Sequence, residues 1–242
     1  MKKTVFYCPM FGNYGIRSSS DLKYWKKETL EINPFLDDPV VDLTQQIKLH
    51  EKLEYTRCPA WQQISTNSYA AKSPIDLEVH YDKEAHRVST PKLNQDKFNA
   101  LIGVDDSSLN QWSGENEIVF LIYIGYLFWT KDKNIWIEQS VFPKTILKNN
   151  FEIVEGKFPL STWTRNTVIG LRLQDFSKPV NINRGDILYY VRFFSDFNKI
   201  KLIKEVPSQD ILNEYFRNVE RKQWLPNSSW EILKQRFYNW KK

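Results

Sequence analysis

Alternation of apolar and polar residues is the main pattern along the chain. It is clearest from Ile75 to Tyr81, where every second residue is apolar and Asp76, Glu78 and His80 lie between. A period of two is typical of a strand with one buried side. Stretches rich in β-branched and aromatic residues predict further strands at 98–104, 117–129, 135–142, 151–154, 167–173, 187–194 and 199–206.

The short connections between these segments bear on the fold class. Lys131–Asn134 and Arg184–Asp186 have the composition of hairpin turns, which join neighbouring antiparallel strands. We therefore predict an all-β fold, an antiparallel sandwich or jelly roll, formed by residues 1–206 and followed by a short C-terminal helical appendage.

The pattern changes from a strand period to a helix period after Pro207. Ser208 can cap a helix whose apolar residues recur every three or four positions: Ile211, Leu212, Tyr215, Phe216 and Val219. A second helix is predicted after Ser228, because Glu231 completes a capping box. Residues 207–242 are thus predicted to form a basic amphipathic helical tail.

Composition and charge narrow the class of protein. Aromatic residues make up 15% of the 242 residues, which argues against a disordered chain. The longest apolar run, Ile118–Trp129, is too short to span a membrane. Residues 1–121 hold 14 Lys and Arg against 17 Asp and Glu, whereas residues 122–242 hold 20 against 12. The basic half could contact an anionic partner, although a well-solvated surface also accounts for the charge.

Cysteine usage indicates a reducing compartment. Cys8 and Cys58 are isolated, no C-x-x-C pair occurs, and a chain of this length does not need disulfides. The cytosol is therefore the default location, and a structural zinc site is disfavoured.

A metal site is the most specific catalytic hypothesis. His80 and Asp82 form a His-x-Asp pair, which is how non-haem iron oxygenases on jelly rolls hold part of their two-histidine, one-carboxylate site. No histidine follows His86, so the third ligand would be His86 or His50. A two-residue turn at Lys83–Glu84 would place His80 and His86 on opposite faces, and a three-residue turn would place them together. A solvated polar hairpin remains the alternative interpretation.

The tail offers a second candidate surface. Basic residues lie among aromatic ones, including Trp230 and Trp240, and such mixtures can bind single-stranded nucleic acid. Aromatic residues at helical spacing also pack on a protein core or a partner. We expect the tail to dock on the β-rich domain or to mediate contact with a protein partner or a second copy.

Short motifs spread along the chain carry a family resemblance. They are Arg57-Cys58-Pro59-Ala60, Asn67-Ser68-Tyr69, Ser73-Pro74-Ile75-Asp76, Trp136, Glu138, Arg165 and the stretch from Gly185 to Phe193. With these motifs the chain resembles an uncharacterised family of phage-encoded proteins. The resemblance implies a location in an infected bacterial cell or in a virion, and it implies no catalytic residue.

The sequence therefore predicts a binding or assembly module. A jelly-roll oxygenase using iron at His80, Asp82 and His86 is one alternative, and a single-stranded nucleic-acid-binding protein is another. The predicted binding residues are basic or aromatic: Arg165, Arg192, Trp230 and Trp240.

Overall fold

A computed structural model of the protein describes residues 3–11, 40–42, 59, 66–73, 76–82, 87–91, 102–103, 119–140, 150–173, 175, 177–196 and 199–224. Within them the chain forms sixteen strands and one helix. They are β1 (Lys3–Phe11), β2 (Val40–Asp42), β3 (Ser68–Lys72), β4 (Leu77–Asp82), β5 (Arg87–Ser89), β6 (Ile102–Gly103), β7 (Val119–Ile122), β8 (Ile124–Trp129), β9 (Trp136–Ser140), β10 (Phe151–Ile153), β11 (Gly156–Pro159), β12 (Arg165–Asn166), β13 (Ile169–Leu173), β14 (Val180–Ile182), β15 (Ile187–Phe194), β16 (Ile200–Lys204) and α1 (Gln209–Trp224).

The strands form four sheets. Sheet I has the order β12-β8-β1-β16, sheet II β10-β13-β7-β6, sheet III β11-β9-β15-β3-β2 and sheet IV β14-β4-β5. In the described residues β1 and β16 pair in parallel, and the other pairs are antiparallel. The predicted all-β fold with a C-terminal helix is therefore confirmed. The second predicted helix lies outside the described residues.

Both turns that were predicted to close hairpins instead connect different sheets. Lys131–Asn134 leads from β8 in sheet I to β9 in sheet III, and Arg184–Asp186 leads from β14 in sheet IV to β15 in sheet III. The hairpin prediction is wrong here because turn residues reverse the chain without specifying which strand becomes its neighbour.

Sheets I and III pack face to face. Alternate residues of β8 and β15 point toward each other, so the rings of Phe128 and Phe193 meet at 5.6 Å and those of Tyr126 and Tyr189 at 6.4 Å between centroids. The four residues belong to a core cluster to which all four sheets contribute. This arrangement is that of a β-sandwich.

At two places a pair of neighbouring chain segments continues from one sheet into the next. The first pair is β7–β8 and β12–β13: β7 pairs with β13 in sheet II, and β8 pairs with β12 in sheet I. The second pair is β3–β4 and β14–β15: β3 pairs with β15 in sheet III, and β4 pairs with β14 in sheet IV. At the second bend, Ser73 N–H donates to the Asp186 carbonyl and Gly185 N–H to the Ser73 carbonyl, both at 2.8 Å. Gly185 has a φ of 86°, which glycine adopts without strain.

Helix α1 covers the outer side of sheet I. Its cap is as predicted, with Ile211 N–H donating to Ser208 Oγ at 3.5 Å. Leu212 is fully buried against Cys8, Leu127 and Trp129. In the described part of the chain, no helix has the length and apolar composition needed to cross a membrane.

Candidate functional site

The outer side of sheet III presents aromatic and charged residues together. Every second residue of β15 points away from the core. The residues that pair with them on β9, and the next ones along on β11, lie on the same side, because directly paired residues point the same way. We call the following residues the aromatic–basic face: Trp136, Glu138, Lys157, Arg192 and Phe194. Lys157 is exposed and the other four are half-buried.

Two cations meet at one ring of this face. Lys157 Nζ lies 4.0 Å from the centroid of the Phe194 ring, and Arg192 Cζ lies 4.7 Å from it. Both distances are within the range in which the negative face of an aromatic ring attracts a cation. The ring therefore holds two positive groups close together at the surface.

The sheet register orders the charges across the face. Glu138 stands between Arg192 on β15 and Lys157 on β11, and Trp136 stands beside Phe194. No ion pair joins Glu138 to either cation within the described residues. The face thus combines two cations, one carboxylate and two rings on three adjacent strands.

Toward β3, the outer side of sheet III is buried. Ser68 and Ala70 of β3 and Tyr190 of β15 are buried, with Tyr190 packed on Ala70. The accessible part is therefore limited to the neighbourhood of β9, β11 and the end of β15.

One of the predicted binding residues belongs to this face. Arg192 is part of it, whereas Arg165 lies on β12 of sheet I. Trp230 and Trp240 lie outside the described residues. Lys157 was missed as a binding residue, because β11 has only four residues and its Gly156 and Pro159 disfavour a strand prediction. Phe194 was missed although its strand was predicted, because the pattern of one strand does not show which cations lie beside it.

The register of the β4–β5 hairpin differs from both turn lengths considered for the metal hypothesis. Asp82 pairs with Arg87 and His80 with Ser89, a register that neither turn length gives. The predicted ligand His86 lies outside the described residues. His80 and Asp82 do share the polar side of β4.

The neighbours of His80 bear on its use as a ligand. Its Nε2 lies 2.7 Å from Glu78 Oε1, on the same side of the same strand. Any metal bound through Nε2 would have to replace this hydrogen bond. Among the described residues, no three His, Cys, Asp or Glu side chains are grouped to hold a metal ion.

Two buried tyrosines between sheets I and III have strongly shifted pKa values. Burial, followed by the nearby Tyr189 and Tyr7, raises the pKa of Tyr126, and burial raises the pKa of Tyr189. Both hydroxyls have partners, since Tyr126 donates to the Lys72 carbonyl at 2.8 Å and Tyr189 lies 2.6 Å from Thr167 Oγ1. Shifted pKa values can mark active sites, but here they follow from a satisfied structural network.

Comparison with known proteins adds no assignment. No model of a known protein family matches the chain, and no curated protein matches it.

Proposed function

We propose that the protein is a binding or assembly module and that the aromatic–basic face is its binding surface. The observation that carries the proposal is the convergence of Lys157 and Arg192 on the half-exposed Phe194 ring. Exposed aromatic and arginine side chains are the residue types that dominate binding energies at interfaces.

The position of these groups on strands supports the same proposal. Three hydrogen-bonded strands carry them, so the backbone at these positions is fixed before any ligand arrives. Groups held in place in this way lose less conformational entropy on binding than groups on a loop. The face is therefore preorganised for a ligand.

The resemblance to phage-encoded proteins provides a setting for the module, the cytoplasm of an infected bacterium or a virion. A jelly roll is the finer architecture we propose, and the two strand pairs that bend from one sheet into the next support it.

Nuclear magnetic resonance of the isotope-labelled full chain tests the binding proposal. The probes are a short thymidine oligonucleotide, a neutral oligosaccharide and an acidic peptide. We expect at least one of them to cause saturable shifts in the backbone signals of β9, β11 and β15. The Trp136→Ala chain, checked for its fold by circular dichroism, should bind that probe more weakly.

Lys201→Ala provides the matched control for these titrations. Lys201 is exposed on β16, in another sheet, so this variant should bind as the natural chain does. The proposal is contradicted if no probe gives saturable shifts, or if the shifts fall away from the three strands.

Self-association through the tail is the assembly part of the proposal. Trp230 and Trp240 would supply the contact, since tryptophan is enriched where proteins associate. Sedimentation velocity of the full chain should show a concentration-dependent oligomer that Trp230→Ala and Trp240→Ala together weaken. A monomer at all concentrations would exclude self-association.

A further inference from the structure

We propose that Lys157 and Arg192 hold a backbone phosphate of single-stranded nucleic acid, while Trp136 stacks on a base. This inference rests on the proposed function, because it names the ligand class of the aromatic–basic face.

The spacing of the two cations suits one anionic group. Because both distances end on the same ring centroid, Lys157 Nζ and Arg192 Cζ lie within about 9 Å of each other. An oxygen of a phosphate bonds a charged nitrogen at about 2.7–2.9 Å, so small side-chain movements let one phosphate reach both groups. Arg192 supplies a planar fork of donors and Lys157 a mobile point charge.

Lys157 is available for such a ligand. It is exposed, and among the described residues no carboxylate lies within ion-pair distance of its Nζ. Its present contact, the Phe194 ring, is much weaker than a charge-assisted hydrogen bond to phosphate. Among the described residues, a phosphate therefore competes with the Phe194 ring alone for this cation.

Trp136 is placed to stack on the base that belongs to this phosphate. It pairs directly with Phe194, which puts the two Cβ atoms about 4.5–5.5 Å apart. Its side chain is half-exposed and makes no ring contact with a described residue. Base-on-ring stacking beside a cationic groove is how sequence-tolerant proteins bind single strands.

The geometry favours a single strand over a duplex. The accessible strands of the face present a surface on which a splayed base can lie, as in sheet-based RNA-binding domains, whereas the bases of a duplex are already stacked on each other. Both cations also come from the basic half of the chain. Glu138 opposes an anion here and is expected to limit affinity.

Fluorescence anisotropy with a labelled thymidine oligonucleotide tests the inference on the full chain. We expect Lys157→Ala and Arg192→Ala each to weaken binding severalfold and to reduce the slope of log affinity against log salt by about 0.7. Trp136→Ala should weaken binding roughly tenfold or more. Glu138→Gln should strengthen it, and Lys201→Ala should leave the affinity within about twofold of the natural chain.

Three results would overturn the inference. The first is that the oligonucleotide does not bind while the neutral oligosaccharide or the acidic peptide binds the face; the proposed function then stands with another ligand class. If none of the three probes binds, the proposed function fails as well. The second is that Lys157→Ala and Arg192→Ala behave as Lys201→Ala does. The third is that Trp136→Ala has no effect while heparin displaces the oligonucleotide, which would show a general anion site without base stacking.

Discussion

Gly125 in β8 lies close to the backbone between β12 and β13. A Cβ atom at this position would overlap the carbonyl of Thr167 and the side chain of Asn166. Since the carbonyl belongs to the backbone of the strand bend, it cannot move aside as a flexible side chain would.

We expect Gly125→Ala to lower the free energy of unfolding by about 1–3 kcal/mol, the usual cost of forcing extra atoms into a packed region. Gly156→Ala is the control, because a Cβ there meets no atom within 4 Å and should change stability by less than about 0.5 kcal/mol. Urea unfolding measures both values. Equal effects of the two substitutions would show that the close approach is not limiting.

The Thr167 hydroxyl forms hydrogen bonds with both buried tyrosines, Tyr126 and Tyr189. Its Oγ1 accepts from Tyr126 N–H at 3.2 Å, donates to the Tyr126 carbonyl oxygen at 3.1 Å, and lies 2.6 Å from the Tyr189 hydroxyl. Thr167→Val keeps the shape and removes the hydroxyl that bonds the buried Tyr126 N–H and the Tyr189 hydroxyl, so we expect a loss of about 1–3 kcal/mol. The double variant with Tyr189→Phe should cost less than the sum of the single variants. Additive losses in a urea double-mutant cycle would contradict the coupling.

Asp175 has the clearest acid shift. Hydrogen bonds from Ser177 and Lys178 lower its pKa from 3.8 to about 2. Because the pKa in the folded state is below that in the unfolded chain, the carboxylate stabilises the fold above about pH 4 and loses this effect as the pH falls toward 2. The stability difference between the natural chain and Asp175→Asn should therefore shrink over that range. A carboxyl titration by nuclear magnetic resonance with a midpoint near pH 4 would disprove the shift.

At the scale of the elements, the β4–β5 hairpin bears on the metal hypothesis. Glu78 holds the Nε2 of His80, and Asp82 stands opposite Arg87, whose charge opposes a bound cation. We therefore expect protein purified anaerobically from iron-supplemented cells to contain no stoichiometric iron. Near-stoichiometric iron that is lost in His80→Ala would contradict this expectation and make the protein a candidate oxygenase.

Helix α1 packs where it does because the strands beneath it are apolar on both sides of sheet I. β1 and β8 are apolar on both sides, with one side facing sheet III and the other carrying Cys8, Leu127 and Trp129. The rings of Phe6 and Trp129 stack at 5.8 Å on that second side. A strand that is apolar on both sides must be covered on both, and α1 supplies the second cover.

For the whole molecule, the result is a stack of three layers: α1, sheet I and sheet III. Leu212→Ala should lower the free energy of unfolding by about 2–5 kcal/mol, because it opens a cavity at the centre of the first contact. In a Cys58→Ser background it should also speed the reaction of the buried Cys8 with a thiol reagent.

Asn213→Ala is the control for this prediction, since Asn213 is exposed on the same helix. Deleting residues 208–242 should expose the same apolar side of sheet I. An unchanged stability and an unchanged thiol rate in Leu212→Ala would show that α1 does not depend on this contact.

Local sequence patterns determined individual strands and the start of the helix. The strand at Ile187–Phe194 was predicted with its observed bounds, and the helix begins after the predicted cap at Ser208. Both depend on residues a few positions apart, because alternation and capping are properties of neighbouring side chains.

The tertiary structure decided which elements lie side by side. A period of two shows which residues of one strand share a side, yet it does not identify the next strand in the sheet. The sequence therefore indicated Arg192 as a binding residue without showing that Lys157, two strands away, would meet it at Phe194. Likewise, Lys131–Asn134 was recognised as a turn, but only packing determined that it joins two different sheets.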